Sequence, residues 1–96
     1  MKRYKIIEND IEYDIEENLH GSRYWYLNNV YHREVGPAWE IEGGGTRWYF
    51  YGKVHRSNGP AWTNQAGEKI WFWHGRRIDC QTQEEFERAL RMKAFW

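Results

Sequence analysis

One cysteine, Cys80, is all the chain has, so it can form neither an internal disulfide nor a cysteine-based zinc site, and a reducing compartment suits it. Net charge is absent too. Lys plus Arg number 14 and Asp plus Glu number 14, which leaves no global field to steer the chain onto nucleic acid or an anionic membrane. Long apolar runs are also missing. Residues 1–10 alternate charge with Ile and Tyr, so no signal peptide or membrane span is expected there and a cytoplasmic location is. Catalytic and metal-binding patterns are equally scarce. Ser22, Ser57, a few Thr and Cys80 stand in no glycine elbow beside a base. The four histidines have no ligand spacing, because His32 and His55 fall at equivalent places about 10 Å apart, too far to share one ion. No enzyme activity, metal or cofactor is expected.

What the chain does have is aromatic bulk. Seven Trp, seven Tyr and four Phe make up 19% of 96 residues, although mean hydropathy is −1.01. A single domain of this size buries a limited share of its surface, so an aromatic core with polar rims is expected.

The sequence also repeats. His32-Arg33-Glu34-Val35-Gly36-Pro37-Ala38-Trp39 returns as His55-Arg56-Ser57-Asn58-Gly59-Pro60-Ala61-Trp62, and 55 − 32 gives a period of 23. The same step carries Trp25-Tyr26-Leu27 onto Trp48-Tyr49-Phe50 and then onto Trp71-Phe72-Trp73, and Gly21 onto Gly44 and Gly67. Within each copy the apolar period is two, the strand signature. Ala38 to Glu42 reads as one strand, Gly43-Gly44-Gly45 as a reversal, and Thr46 to Tyr51 as the returning strand. Gly52-Lys53 turns the chain again, and Val54-His55-Arg56 continues extended. Residues 2–17 read as two starting strands around a turn at Asn9. Ile7, Ile11, Tyr13 and Ile15 fall on one parity, and Glu8, Asp10, Glu12, Asp14 and Glu16 on the other. Those carboxylates read as a solvated outer face guarding an edge strand, with an acidic surface for a basic partner as the alternative. Thr82-Gln83-Glu84-Glu85 forms a capping box, and Phe86, Ala89, Leu90 and Lys93 follow at helical spacing. Met92, Phe95 and Trp96 extend past that helix, with Trp96 either tucked back or part of an oligomer contact.

The expected fold is mainly β: an antiparallel meander of tandem 23-residue β-hairpin repeats closed by one C-terminal α-helix. Residues 1–21 form capping strands, 22–78 the hairpin repeats and 79–96 the helical segment of a single domain. Two aromatic ladders follow from the strand period. One holds Trp25, Trp48 and Trp71 with Leu27, Phe50 and Trp73, and reads as core. The other holds Tyr24, Arg47 and Ile70 with Tyr26, Tyr49 and Phe72. A single sheet cannot bury both faces by itself, so the second ladder calls for another element or another molecule. The residues expected to bind are Tyr24, Tyr26, Arg47, Tyr49, Tyr51, Phe72 and His74, with Arg33 and Arg56 of the repeated His-Arg pair.

The His-Arg pair itself reads as structural, His bonding a turn carbonyl while Arg stacks on Trp or pairs with Glu40; a small nuclease using His32 or His55 is the outlying alternative. Nucleotide or nucleic acid stacking on Tyr26, Tyr49 and Phe72 is the alternative binding function. Gly43-Gly44-Gly45 joins two strands rather than opening a helix, so it reads as a turn and not a phosphate loop.

The run Trp48-Tyr49-Phe50-Tyr51-Gly52-Lys53-Val54-His55-Arg56-Ser57-Asn58-Gly59-Pro60-Ala61 resembles the W-Y-x-N-G-K-x-H-R-x-D-G-P-A repeat of bacteriophage and bacterial proteins, which are themselves distantly similar to MORN repeats. The resemblance spans about residues 22–78, and Glu84-Glu85-Phe86 is similar to the helix that closes such chains. Asn28-Asn29 stands where the repeat has Asn-Gly, Arg77-Ile78-Asp79 replaces the last His-Arg continuation, and the Y-x-G signature of true MORN repeats is missing, so MORN functions are not carried over. The resemblance implies a MORN-like β-hairpin repeat protein, phage-borne, with no catalytic residues. Its concrete form would be an inhibitor of a host protein, such as a CRISPR defence component. Self-association through one ladder remains an open outcome of the same reading.

Overall fold

The computed structural model describes residues 1–92. Its strands are β1 (Lys2–Glu8), β2 (Ile11–Glu17), β3 (Arg23–Leu27), β4 (Val30–Tyr31), β5 (Trp39–Ile41), β6 (Gly45–Arg47), β7 (Tyr49–Phe50), β8 (Lys53–Val54), β9 (Trp62–Thr63), β10 (Lys69–Trp73) and β11 (Arg76–Ile78), followed by helix α1 (Gln83–Arg91). Every pairing is antiparallel, and the main sheet runs β1-β2-β3-β5-β6-β9-β10-β11, with β4 on β3 and β7–β8 as a separate pair. The described chain is mainly antiparallel β with one C-terminal helix, a meander as the strand period requires.

The meander is built from two kinds of hairpin. Type one turns through a glycine region, as β5 into β6. Type two turns through two left-handed residues: Asn28-Asn29 (φ 51° and 68°) joins β3 to β4, Tyr51-Gly52 (48° and 85°) joins β7 to β8, and His74-Gly75 (47° and 84°) joins β10 to β11. Paired left-handed residues give the twist that a two-residue hairpin needs. Each central strand therefore pairs first across one turn and then across the other. In the middle copy the expected strand from Thr46 to Tyr51 breaks at Trp48, whose N–H instead donates to the Ala61 carbonyl at 2.8 Å.

The opening hairpin corrects the parity reading. Its turn occupies both Asn9 (φ 51°) and Asp10 (φ 64°), so Glu8 pairs with Ile11 and Ile7 with Glu12. A two-residue turn carries position 8, not 7, to the face that holds Tyr13 and Ile15. Ile7 is left 69% exposed, while Glu8 reaches inward to Arg33.

Two buried clusters result. Tyr13, Ile15, Trp25 and Ala38 form one; Trp71, Ile78 and Phe86 form the other. The helix begins where the capping box predicts: Thr82 Oγ1 accepts from the Glu85 N–H at 3.1 Å, and Glu85 Oε1 accepts from the Gln81 N–H at 2.9 Å. It drops Phe86 onto Trp71 and Ile78, with Leu90 packed at the margin. Lys93, Phe95 and Trp96 lie outside the described residues. The molecule is only 18 Å across its thinnest axis, so the sheet has one helix to cover it at one end and no second layer elsewhere among the described residues.

Candidate functional site

Bonds recur at the sequence period, and they explain the repeated motif. The Trp25 N–H donates to the Ala38 carbonyl (2.7 Å) and the Trp48 N–H to the Ala61 carbonyl (2.8 Å); the His32 N–H donates to Trp25 (3.1 Å) and the His55 N–H to Trp48 (2.9 Å). Each arginine then lies flat over its own tryptophan, Arg33 Cζ 3.7 Å from the Trp25 ring and Arg56 Cζ 3.8 Å from Trp48. Each also donates from Nη1 to a proline carbonyl, Pro37 and Pro60, at 3.2 Å. Glycine leaves the room beneath it: a Cβ on Gly36 would sit 2.8 Å from Arg33 Cζ, and one on Gly59 2.7 Å from Arg56 Cζ, so either would push the guanidinium aside. Neither glycine has a positive φ, so close approach alone explains the choice. Ala38 and Ala61 are fully buried, where a larger side chain has no room.

The histidines hold the next turn along. His32 Nδ1 accepts the Tyr51 N–H at 2.8 Å, and His55 Nδ1 accepts the His74 N–H at 2.9 Å. The sequence reading had histidine bonding a turn carbonyl; the partner is an amide, which places the ring proton on Nε2. Left-handed Tyr51 and His74 are thereby fixed, and their rings stack on His32 and His55 at 4.0 and 4.2 Å. In the first copy His32 Nε2 donates to Glu34 at 2.8 Å, and the ring is completely buried, so both nitrogens are engaged. Burial, reinforced by His74, pushes the His55 imidazole below its ordinary value. A continuous ring contact series runs along this side, from His32 through Phe50, His55 and Trp73 to Phe86.

The opposite face carries tyrosine. Tyr24 packs edge-on against Trp39 at 5.3 Å, Trp39 meets Tyr31 at 5.2 Å and Tyr49 at 5.6 Å, and Tyr31 meets Tyr26 at 4.8 Å. All five are half-buried. Tyr26 donates to Glu16 at 2.6 Å, and burial, with that bond, raises its hydroxyl far above the ordinary value. The Trp39 indole N–H is buried without a partner among the described residues. Beyond this cluster on the same face lies Arg47, stacked over Trp62 at 4.1 Å and donating to the Thr46 and Thr63 carbonyls. Phe72 shares the face further along β10.

The residues expected to bind thus divide. Tyr24, Tyr26, Arg47, Tyr49 and Phe72 share one face, and Tyr51 and His74 cap turns over the histidines. Arg33 is held within the stack, its Nε and Nη2 bonded to both oxygens of Glu8 at 3.0 and 2.7 Å. Arg56 lies in a cleft of about 420 Å³ between the loops at Glu34 and Ser57. Tyr31 and Trp39 complete the tyrosine cluster but were not foreseen as binding residues, although Trp39 repeats as Trp62. The carboxylates of β2 are not a bare acidic face, because Lys5 pairs with Asp14 at 2.7 Å and Arg3 with Glu16 at 2.9 Å. Among the described residues no group of three His, Cys, Asp or Glu is placed to hold a metal ion, and no helix is long and apolar enough to cross a membrane. Compared with known proteins, the chain matches no family model, no curated protein and no solved structure.

Proposed function

We propose that this chain is a non-catalytic protein-binding module that grips its partner with the tyrosine face. One observation carries the reading: Tyr24, Tyr26, Tyr31, Trp39 and Tyr49 touch ring to ring across neighbouring strands, only partly buried, while the described helix packs at the far end on Trp71 and Ile78. Tyr and Trp carry large contact area at low conformational cost and dominate interface hot spots. The resemblance to bacteriophage repeats directs the partner toward a host protein, with inhibition of a defence protein as the form of the activity and the host cytoplasm as its place. A second copy of this chain is the other protein that could cover the face.

Nucleotide stacking on the same rings is less well supported. Arg47 is spent on Trp62 and two carbonyls, and Asp14 and Glu16 flank Tyr26, so among the described residues no unpaired cation stands beside the tyrosine cluster for phosphate, and only Arg77, across from Phe72, offers one on that face. Affinity capture from bacterial lysate tests both readings, with Tyr24→Ser and Tyr26→Ser checked for folding by circular dichroism. The expected result is one stoichiometric protein, lost in both folded variants. Nucleotide absorbance co-purifying with the chain, or capture indifferent to the variants, would overturn it. Sedimentation equilibrium separates self-association from partner binding.

A further inference from the structure

We propose that the cleft over Trp48 is a binding slot for an acidic, aromatic peptide segment, the same chemistry the chain supplies to itself over Trp25. This goes beyond the tyrosine face, and neither proposal depends on the other.

The argument is an internal template. The tip of the first hairpin, Glu8 to Tyr13, seats two side chains on the first copy. Glu8 closes on Arg33 with two hydrogen bonds. Tyr13 packs edge-on against Trp25 at 5.3 Å, lies parallel to His32 at 6.3 Å, and its hydroxyl accepts the Glu34 N–H at 3.1 Å. Four groups therefore hold the tip: Trp25, His32, Arg33 and the amide of residue 34.

All four recur 23 residues on, since 48 − 25, 55 − 32, 56 − 33 and 57 − 34 give the same step, and Trp48, His55, Arg56 and Ser57 all line the 420 Å³ cleft. Among the described residues nothing fills it as the hairpin tip fills the first. Arg56 offers Nε to the neutral Asn58 side chain at 3.1 Å, and no carboxylate reaches it among the described residues. His55 lacks the acid that His32 has, because Ser57 stands in place of Glu34, and with Nδ1 holding the His74 amide its Nε2–H is left to donate. Glu34, on the facing wall, is engaged by His32. Arg56 and His55 thus present donors over Trp48, on an aromatic floor extended by Phe50, which is 37% exposed. Donors over an aromatic floor select a carboxylate next to a ring. The third copy closes differently: Gln83 accepts from the Trp71 indole at 2.8 Å and Phe86 covers it.

The probe is the acetylated, amidated hexapeptide Glu-Asn-Asp-Ile-Glu-Tyr, the sequence of residues 8–13, titrated into the full chain and followed by proton–nitrogen correlation spectra. Saturable shifts of the Trp48 indole and Arg56 Nε–H signals are expected. Replacing the first Glu of the peptide with Gln should weaken binding about tenfold, the usual cost of losing a charge-assisted bond. Asn58→Glu, an exposed position, should also weaken it about tenfold or more, because the introduced carboxylate takes the Arg56 edge, and should leave the melting temperature unchanged or raised. No saturable shift up to about 5 mM, shifts confined to Trp25 and Tyr13, equal binding by Asn58→Glu, or AMP shifting the signals where the peptide does not, would each overturn the proposal. Because Tyr24→Ser and Tyr26→Ser should bind the peptide normally, a failure of the tyrosine-face reading is scored separately.

Discussion

Trp25 and Trp48 have the same backbone bonds, the same arginine overhead and the same glycine making room for it, yet one is 2% exposed and the other half-buried. The difference lies in what arrives from outside the copy. Over Trp25 come Tyr13 and Glu8, and the Trp25 indole donates to Glu40 at 2.8 Å. Over Trp48 comes only the edge of the preceding loop, and its indole N–H has no acceptor among the described residues. A repeated unit is thus incomplete alone: its stability is set by its neighbour, and the middle unit of this chain has the least adequate one.

The comparison breaks most sharply on truncation. Trp25→Ala should cost about 4 kcal/mol of unfolding free energy in urea titration, and Trp48→Ala only about 2, because a half-buried ring leaves less cavity behind. Equal losses would mean the two sites are equally closed. Next comes the ion pair. Glu8→Gln leaves Arg33, whose side chain is only 13% exposed, with Glu40 at 3.5 Å as its remaining carboxylate and should cost about 1–2 kcal/mol, whereas Asn58→Ala on the second arginine should stay within about 0.5 kcal/mol. Gly36→Ala and Gly59→Ala test the shared part of the design. Each should lose about 1–2 kcal/mol by pushing its arginine off the tryptophan, with Gly36→Ala the worse because the Glu8 bonds move too.

Acidity separates the copies most gently. Hydrogen bonding to Arg33 holds the Glu8 carboxyl below its ordinary 4.5, so its contribution is complete above that value and lost as pH falls beneath it. The His55 pKa is also lowered, here by burial, so the unfolded chain takes that proton first and stability declines as pH drops below the ordinary 6.5. Melting temperature should therefore fall in two stages on acidification. His55→Asn should flatten the upper stage and Glu8→Gln the lower.

Much of this fold was legible because its signals are local. Strand period and the Thr82 capping box each act within a few residues and appear where the sequence put them. The opening parity was misread because it hinges on the turn length: one residue more at Asp10 exchanges Ile7 for Glu8. Arg33 and Arg56 announced themselves as a motif that stacks on Trp or pairs with Glu40, and Arg33 does both while Arg56 stacks; the loop that folds back over Gly36 and Gly59 to seat them is what periodicity does not encode. Trp48 reads as core in the sequence because its neighbours match those of Trp25; what differs is whether Glu8, Tyr13, Gln83 or Phe86 reaches it, and those contacts are long-range. The tyrosine cluster was foreseen in part, while Tyr31 and Trp39 joined it from short strands that pair with β3 on one side.

Solvent exchange of the three indole N–H signals tests the contrast most directly, since each proton reports whether its tryptophan is closed. The account expects Trp25 and Trp71, bonded to Glu40 and Gln83, to exchange slowly and Trp48 to exchange fast with water. A Trp48 indole as protected as that of Trp25 in the isolated chain would contradict it.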